Sequence, residues 1–136
     1  MGWGYNSMTA PEMTLEEYLF SQRRKKPSKY KAKPIEIDGH RFDSLAEGRR
    51  YNELLLMVRS GEISDLRIHP IYELQAAFKR GKQTIRAISY EADFEYQEGG
   101  KCITEDVKGV ETEAFKIKHK LFLKLYPSKE FRITKP

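Results

Sequence analysis

The chain has 136 residues, 39% hydrophobic and 33% charged, with 25 Lys plus Arg against 20 Asp plus Glu and a net charge of +5. That length suits one domain with a modest core, and the basic balance is compatible with a polyanionic partner. The single Cys102 excludes an intramolecular disulfide, and the scattered His40, His69 and His119 exclude zinc-finger spacing. No apolar run approaches the roughly 20 residues of a membrane span and the N-terminus lacks a signal-peptide plan, so the expectation is a cytoplasmic protein.

Residues 1–33 read as a separate N-terminal segment. Thr14-Leu15-Glu16-Glu17 fits a capping box, with Glu16–Phe20 forming one or two helical turns. A basic linker follows from Arg23 to Lys33. Its Lys29, Lys31 and Lys33 suit either an arm that follows phosphates or a solvated tail. The folded domain spans 34–136. Ile35–Asp38 and His40–Phe42 flank Gly39 as the edges of a short turn. Ser44 with Glu47 forms a second capping box; Tyr51, Leu54, Leu55 and Val58 recur at helical spacing; Gly61 stops the helix.

Three strand-like segments come next: Ile71–Phe78 before the turn Lys79-Arg80-Gly81-Lys82, Thr84–Tyr96 before Gly99-Gly100, and Lys101–Lys108. A second helix is expected from about Thr112 to Tyr126, stopped by Pro127, with Ala114, Ile117, Leu121 and Leu125 as its apolar stripe. Phe131–Thr134 is the last strand. The order helix, three strands, helix, strand predicts an α+β fold whose mixed sheet has antiparallel hairpins and a crossover to a parallel strand.

The hairpin carries the chemistry. If Gly99-Gly100 is a two-residue loop, Glu98 pairs with Lys101 and Asp93 falls opposite Asp106. Two carboxylates that close are tolerated if exposed, if one is protonated, or if a cation lies between them. Alternation brings Lys108 to the side of Asp106, while Phe94 and Val107 take the other. Such oxygens suit Mg²⁺ or Mn²⁺, and an ammonium beside them can orient water or stabilise a phosphate. A solvated strand face with a cross-strand ion pair is the plainer reading. Glu47 lies at one end of the core-facing stripe of the first helix, where it either caps or joins a polar site. Lys116, Lys120 and Lys124 lie four apart on the last helix, with Lys118 nearby, as a phosphodiester-binding stripe or a solvated face.

These residues resemble the PD-(D/E)XK nucleases, whose core order is α-β-β-β-α-β. The resemblance implies that Glu47, Asp93, Asp106 and Lys108 are the catalytic set. Asp93, Asp106, the Val107 backbone carbonyl and Glu47 would be the metal ligands. Ala92 stands where that family often has Pro. The chain looks closer still to a family of small phage and prophage proteins of unknown function. The likeness rests on Lys29-Tyr30-Lys31-Ala32-Lys33, Phe42-Asp43-Ser44, Glu47 with Arg49-Arg50-Tyr51, Gly61-Glu62-Ile63, Tyr90 through Phe94, Glu105 through Gly109, and Phe115-Lys116-Ile117-Lys118. It implies a nuclease-like domain over 34–136 that is a Mg²⁺-dependent DNA endonuclease, in the manner of Holliday-junction resolvases. DNA, including branched DNA, would be the partner. A homodimer is expected, with Lys116, Lys118, Lys120 and the linker lysines on DNA and no organic cofactor. A non-catalytic DNA-binding module and a phage interaction protein are the alternatives.

Overall fold

The computed structural model describes residues 14–17 and 33–136. They fall into two compact units, one ending at Glu53 and one running from Leu54 to Pro136. Among the described residues no helix is long and apolar enough to cross a membrane.

In the N-terminal unit the first capping box forms as expected. The Glu17 N–H donates to Thr14 Oγ1 at 3.0 Å and the Thr14 N–H donates to the Glu17 carboxylate at 3.1 Å. The remainder of the predicted turn to Phe20, and most of the basic linker, lie outside the described residues. Strands β1 (Ile35–Ile37) and β2 (His40–Phe42) pair antiparallel around Asp38-Gly39, both at positive φ. Helix α1 (Leu45–Ser60) starts in this unit. Its Gly48 permits a close approach, since a Cβ there would lie 2.6 Å from Ile35 Cδ1. Tyr51 packs its ring 5.0 Å from Phe42 and donates to Asp38 Oδ2 at 3.1 Å.

The second unit begins with the end of α1. The Glu62 N–H reaches the Met57 carbonyl at 2.9 Å and the Gly61 N–H reaches Val58 at 3.1 Å, with Gly61 at φ 85. That is a Schellman stop at the glycine expected to end the helix. Nine elements follow: β3 (Ser64–Ile68), β4 (Ile71–Gln75), β5 (Phe78–Arg80), β6 (Gln83–Ile85), β7 (Ile88–Glu91), β8 (Phe94–Glu98), β9 (Lys101–Val107), α2 (Glu113–Leu125) and β10 (Lys129–Thr134). The main sheet has the order β10-β9-β8-β3. Its β3–β8 and β8–β9 pairs are antiparallel, and β10 joins β9 in parallel after the α2 crossover.

Two strand expectations are corrected. Ile71–Phe78 is not in the main sheet: β4 pairs with β7 in a sheet of two strands, and the place beside β8 is taken by Ser64–Ile68. Thr84–Tyr96 is not one strand but parts of β6, β7 and β8. The physical reason is that β4 through β7 double back on themselves as a long ribbon, so each strand finds its hydrogen bonds locally before the chain rejoins the main sheet.

The helix bounds hold, with Thr112 capping α2 through the Phe115 N–H at 3.1 Å, but its buried face is different. Ile117 and Leu125 are 60% and 48% exposed, whereas Phe115 and Phe122 are buried against Tyr72, Leu74, Tyr90 and Ala92. Phe122 meets Tyr72 edge to face at 4.9 Å. Large rings bury more apolar area than the aliphatic stripe and gain from edge-to-face packing, so they decide the helix rotation.

The carboxylate of Glu95 on β8 is buried beside Tyr72 of β4. Arg67 lies 2.9 Å from one oxygen and Lys129 3.1 Å from the other, which also accepts from the Tyr72 hydroxyl at 2.5 Å. Burial works against its charge. The hydrogen bonds from Tyr72 and Lys129, with the charges of Lys129 and Arg67, outweigh that and hold the carboxyl below its ordinary 4.5. The unfolded chain therefore takes up this proton more readily. The stability it contributes is complete above pH 4.5 and is lost as the pH falls through the folded-state value. Urea midpoints measured from about pH 7 to about pH 3 are expected to fall on the acid side, with a shallower acid limb in Glu95→Gln. Limbs of equal slope would remove Glu95 as the cause.

Candidate functional site

The β8–β9 register runs from Glu98↔Lys101 to Phe94↔Glu105, as the Gly99-Gly100 loop predicts, and both glycines have positive φ. One further step sets Asp93 opposite Asp106. There the backbone ladder gives way to side chains. The Asp93 N–H donates to Asp106 Oδ1 at 2.9 Å, and the Val107 N–H donates to Asp93 Oδ2 at 2.7 Å. The Asp93 carbonyl in turn accepts from the His69 N–H at 2.9 Å.

To the three ways the sequence allowed opposed carboxylates to coexist, the structure adds a fourth contribution: each accepts from a backbone amide. The acids are thus fixed in orientation before any ligand arrives.

Asp106 is only 2% exposed. Its Oδ2 accepts from the Tyr90 hydroxyl and lies 3.7 Å from Lys108 Nζ, which also sits 4.8 Å over the Phe115 ring. Alternation past Val107 therefore brings Lys108 to Asp106, as expected. Burial first, then the charge and acceptor oxygen of Asp106, push the Tyr90 phenol far above its ordinary value, so it serves as a donor at neutral pH. Glu105, one residue earlier on the strand, faces away from Asp106. It is fully buried on the other side of β9, where it accepts from Tyr96 and, at 2.9 Å, from Thr134 Oγ1.

The remaining predicted residues are placed as follows. Glu47 lies in the N-terminal unit and caps α1: its N–H donates to Ser44 Oγ at 3.2 Å, and its carboxylate accepts from Ser44 Oγ and from the Asp43 N–H, both at 3.3 Å. The amide it reaches is that of Asp43, one residue earlier than a standard capping box. Lys116 and Lys120 are exposed on α2, Lys118 is half-buried, and Lys116 pairs with Glu113 at 3.2 Å. Lys33 is exposed; Lys29 and Lys31 lie outside the described residues.

Two residues were missed from the sequence. Tyr90, part of the family likeness but given no role there, is the one buried position of β7, a polar-tipped aromatic in an otherwise exposed strand. His69 stands before Pro70 at φ 55, and a ring nitrogen of His69 lies within 4.8 Å of an Asp93 carboxylate oxygen. A non-glycine in the left-handed region is uncommon, and nothing in the sequence marks it.

The donor set of Asp93 and Asp106 consists of hard oxygens and fits Mg²⁺ or Mn²⁺, and an imidazole nitrogen from His69 would favour Mn²⁺ of the two. An α+β unit with two carboxylates and a lysine gathered where a β-hairpin meets its sheet is the class this fold and site define. The family model described as "Protein of unknown function (DUF1064)" matches residues 27–135, and the chain belongs to that family. No curated protein and no solved structure matches it.

Proposed function

We propose that the chain is a Mg²⁺-dependent DNA endonuclease with a PD-(D/E)XK-type core. It hydrolyses phosphodiester bonds, acts on branched recombination intermediates and works as a homodimer. The observation that supports this reading best is Asp106, a buried carboxylate aimed by the Asp93 amide and the Tyr90 hydroxyl, with the Lys108 ammonium 3.7 Å away. Asp93 and Asp106 would hold the ion, with the Val107 carbonyl as the further ligand that the resemblance assigns. Bound there, a divalent ion supplies Lewis-acid polarisation of the phosphate. Lys108 orients the attacking water or pairs with a phosphate oxygen. Tyr90 locks the Asp106 rotamer.

Loss of that lock is a measurable matter. Tyr90→Phe is expected to slow cutting about 10- to 100-fold, the usual effect of removing a hydrogen-bond partner behind a metal ligand, while unfolding stays cooperative. Wild-type rates in this variant would mean that the phenol only fills space.

The central experiment is incubation of the purified protein with plasmid, fork and four-way-junction DNA, in Mg²⁺, Mn²⁺ or chelator. Metal-dependent cutting is expected, and no cutting of any substrate would sink the reading. The alternative is a non-catalytic DNA-binding module. It draws on each of the two carboxylates being held by a backbone amide, and it would show as binding without cutting.

A further inference from the structure

Between Glu73 and Glu91 the chain carries Lys79, Arg80, Lys82 and Arg86 and no acidic residue. This stretch is the distal part of the ribbon, with β5 and β6 paired Phe78↔Ile85, Lys79↔Thr84 and Arg80↔Gln83. Its turn is Gly81-Lys82, with the glycine at φ 62, the arrangement of a type II′ loop. Every residue from Gln75 to Ser89 is exposed except Ile85, which is half-buried. A two-stranded ribbon open on both faces gains almost nothing from burial and is marginal on its own account. Within its pairing, Lys79 and Arg80 project to opposite faces, and Lys82 stands at the tip.

We infer that the β5–β6 ribbon is a nucleic-acid-binding arm that enters the groove of duplex DNA. Cations on both faces and at the tip suit a ribbon flanked by phosphates on either side, whereas a flat anionic surface would engage one face alone. A major groove admits a two-stranded ribbon of this width. The six residues Gln75–Arg80 extend roughly 20 Å, enough to enter it. Exposed Phe78, 47% accessible, adds an apolar contact for base edges. The arm is also tied to the carboxylates: the Ala92 N–H donates to the Pro70 carbonyl at 3.0 Å, next to the His69–Asp93 bond. The ribbon leads back through the β4–β7 pair to the backbone bonds beside Asp93, so DNA held by it lies on the same stretch of chain as that carboxylate. This rests on the proposed function only in taking DNA as the ligand, and it is independent of cutting.

The test is anisotropy of a short labelled duplex with chelator present, comparing wild type with a variant carrying Lys79→Ala, Arg80→Ala, Lys82→Ala and Arg86→Ala. The substituted side chains are exposed, so an unchanged melting profile serves as the folding control. Affinity is expected to drop at least about 30-fold near 0.1 M salt, and the slope of log K against log salt to shrink by about one for each phosphate contact removed. Wild-type affinity and slope in the variant would overturn the assignment, as would failure of the wild type to bind duplex at all. Wild-type binding that needs the four cations, with no cutting in Mg²⁺, upholds the arm and removes the nuclease. Cutting by a variant of undiminished affinity does the reverse.

Discussion

Asp106→Asn is expected to lower cutting at least about 10³-fold while DNA affinity changes less than about threefold. The substitution keeps shape and volume and removes one charge. Its amide oxygen can still accept from the Asp93 N–H, and its NH₂ can face the Tyr90 hydroxyl, which turns from donor to acceptor. The local fold therefore survives, and the melting temperature should move little. The carboxylate that would hold the ion and balance Lys108 is gone. Nicking of supercoiled plasmid, paired with duplex binding under chelator, measures both quantities. An Asn variant that cuts at the wild-type rate refutes the site; one that loses binding in step with cutting shows that Asp106 works through DNA placement.

Phe122→Ala is expected to destabilise the second unit by about 3–5 kcal/mol. The ring is fully buried and touches four others, with centroids 4.9 Å from Tyr72, 6.1 Å from Tyr90, 5.1 Å from Tyr126 and 5.3 Å from Phe131. Small domains have about 5–15 kcal/mol in total, so the variant would be marginal. Leu125→Ala, at a residue 48% exposed, should cost under about 0.5 kcal/mol. Urea midpoints of the two variants decide which face of α2 is inward. Equal costs would return the helix to the aliphatic stripe read from the sequence.

That misreading shows where sequence reasoning ran out. Ala114, Ile117, Leu121 and Leu125 share one helical face, and Phe115, His119, Phe122 and Tyr126 share another at the same period. Periodicity cannot choose between them; the aromatic surface of Tyr72 and Tyr90 does, and it comes from strands far away in the chain. Strand β3 was invisible for a similar reason. Ser64-Asp65-Leu66-Arg67-Ile68 is polar and mostly exposed, and it becomes a strand because the free edge of β8 offers it hydrogen bonds. Local devices were legible instead. Gly99-Gly100 set the register, Gly61 and Thr112 set helix ends, and alternation placed Lys108 by Asp106 and turned Glu105 away. Their information lies within a few residues. The bonds that fix the two acids did not show, since a side chain that accepts from a backbone amide leaves no mark in composition or spacing.

The pairing pattern also implies an uneven distribution of mobility. Strand β9 is flanked by partners on both edges, β8 and β10, and it carries Asp106. Its amides should exchange with solvent only when the whole unit opens, whereas those of β5 and β6 can open alone, with little burial to restrain them. A protein built this way can let its outer ribbon fluctuate and search while the carboxylates stay still. Compliance and rigidity are assigned to different segments of the same chain, joined at the backbone bonds of His69 and Ala92.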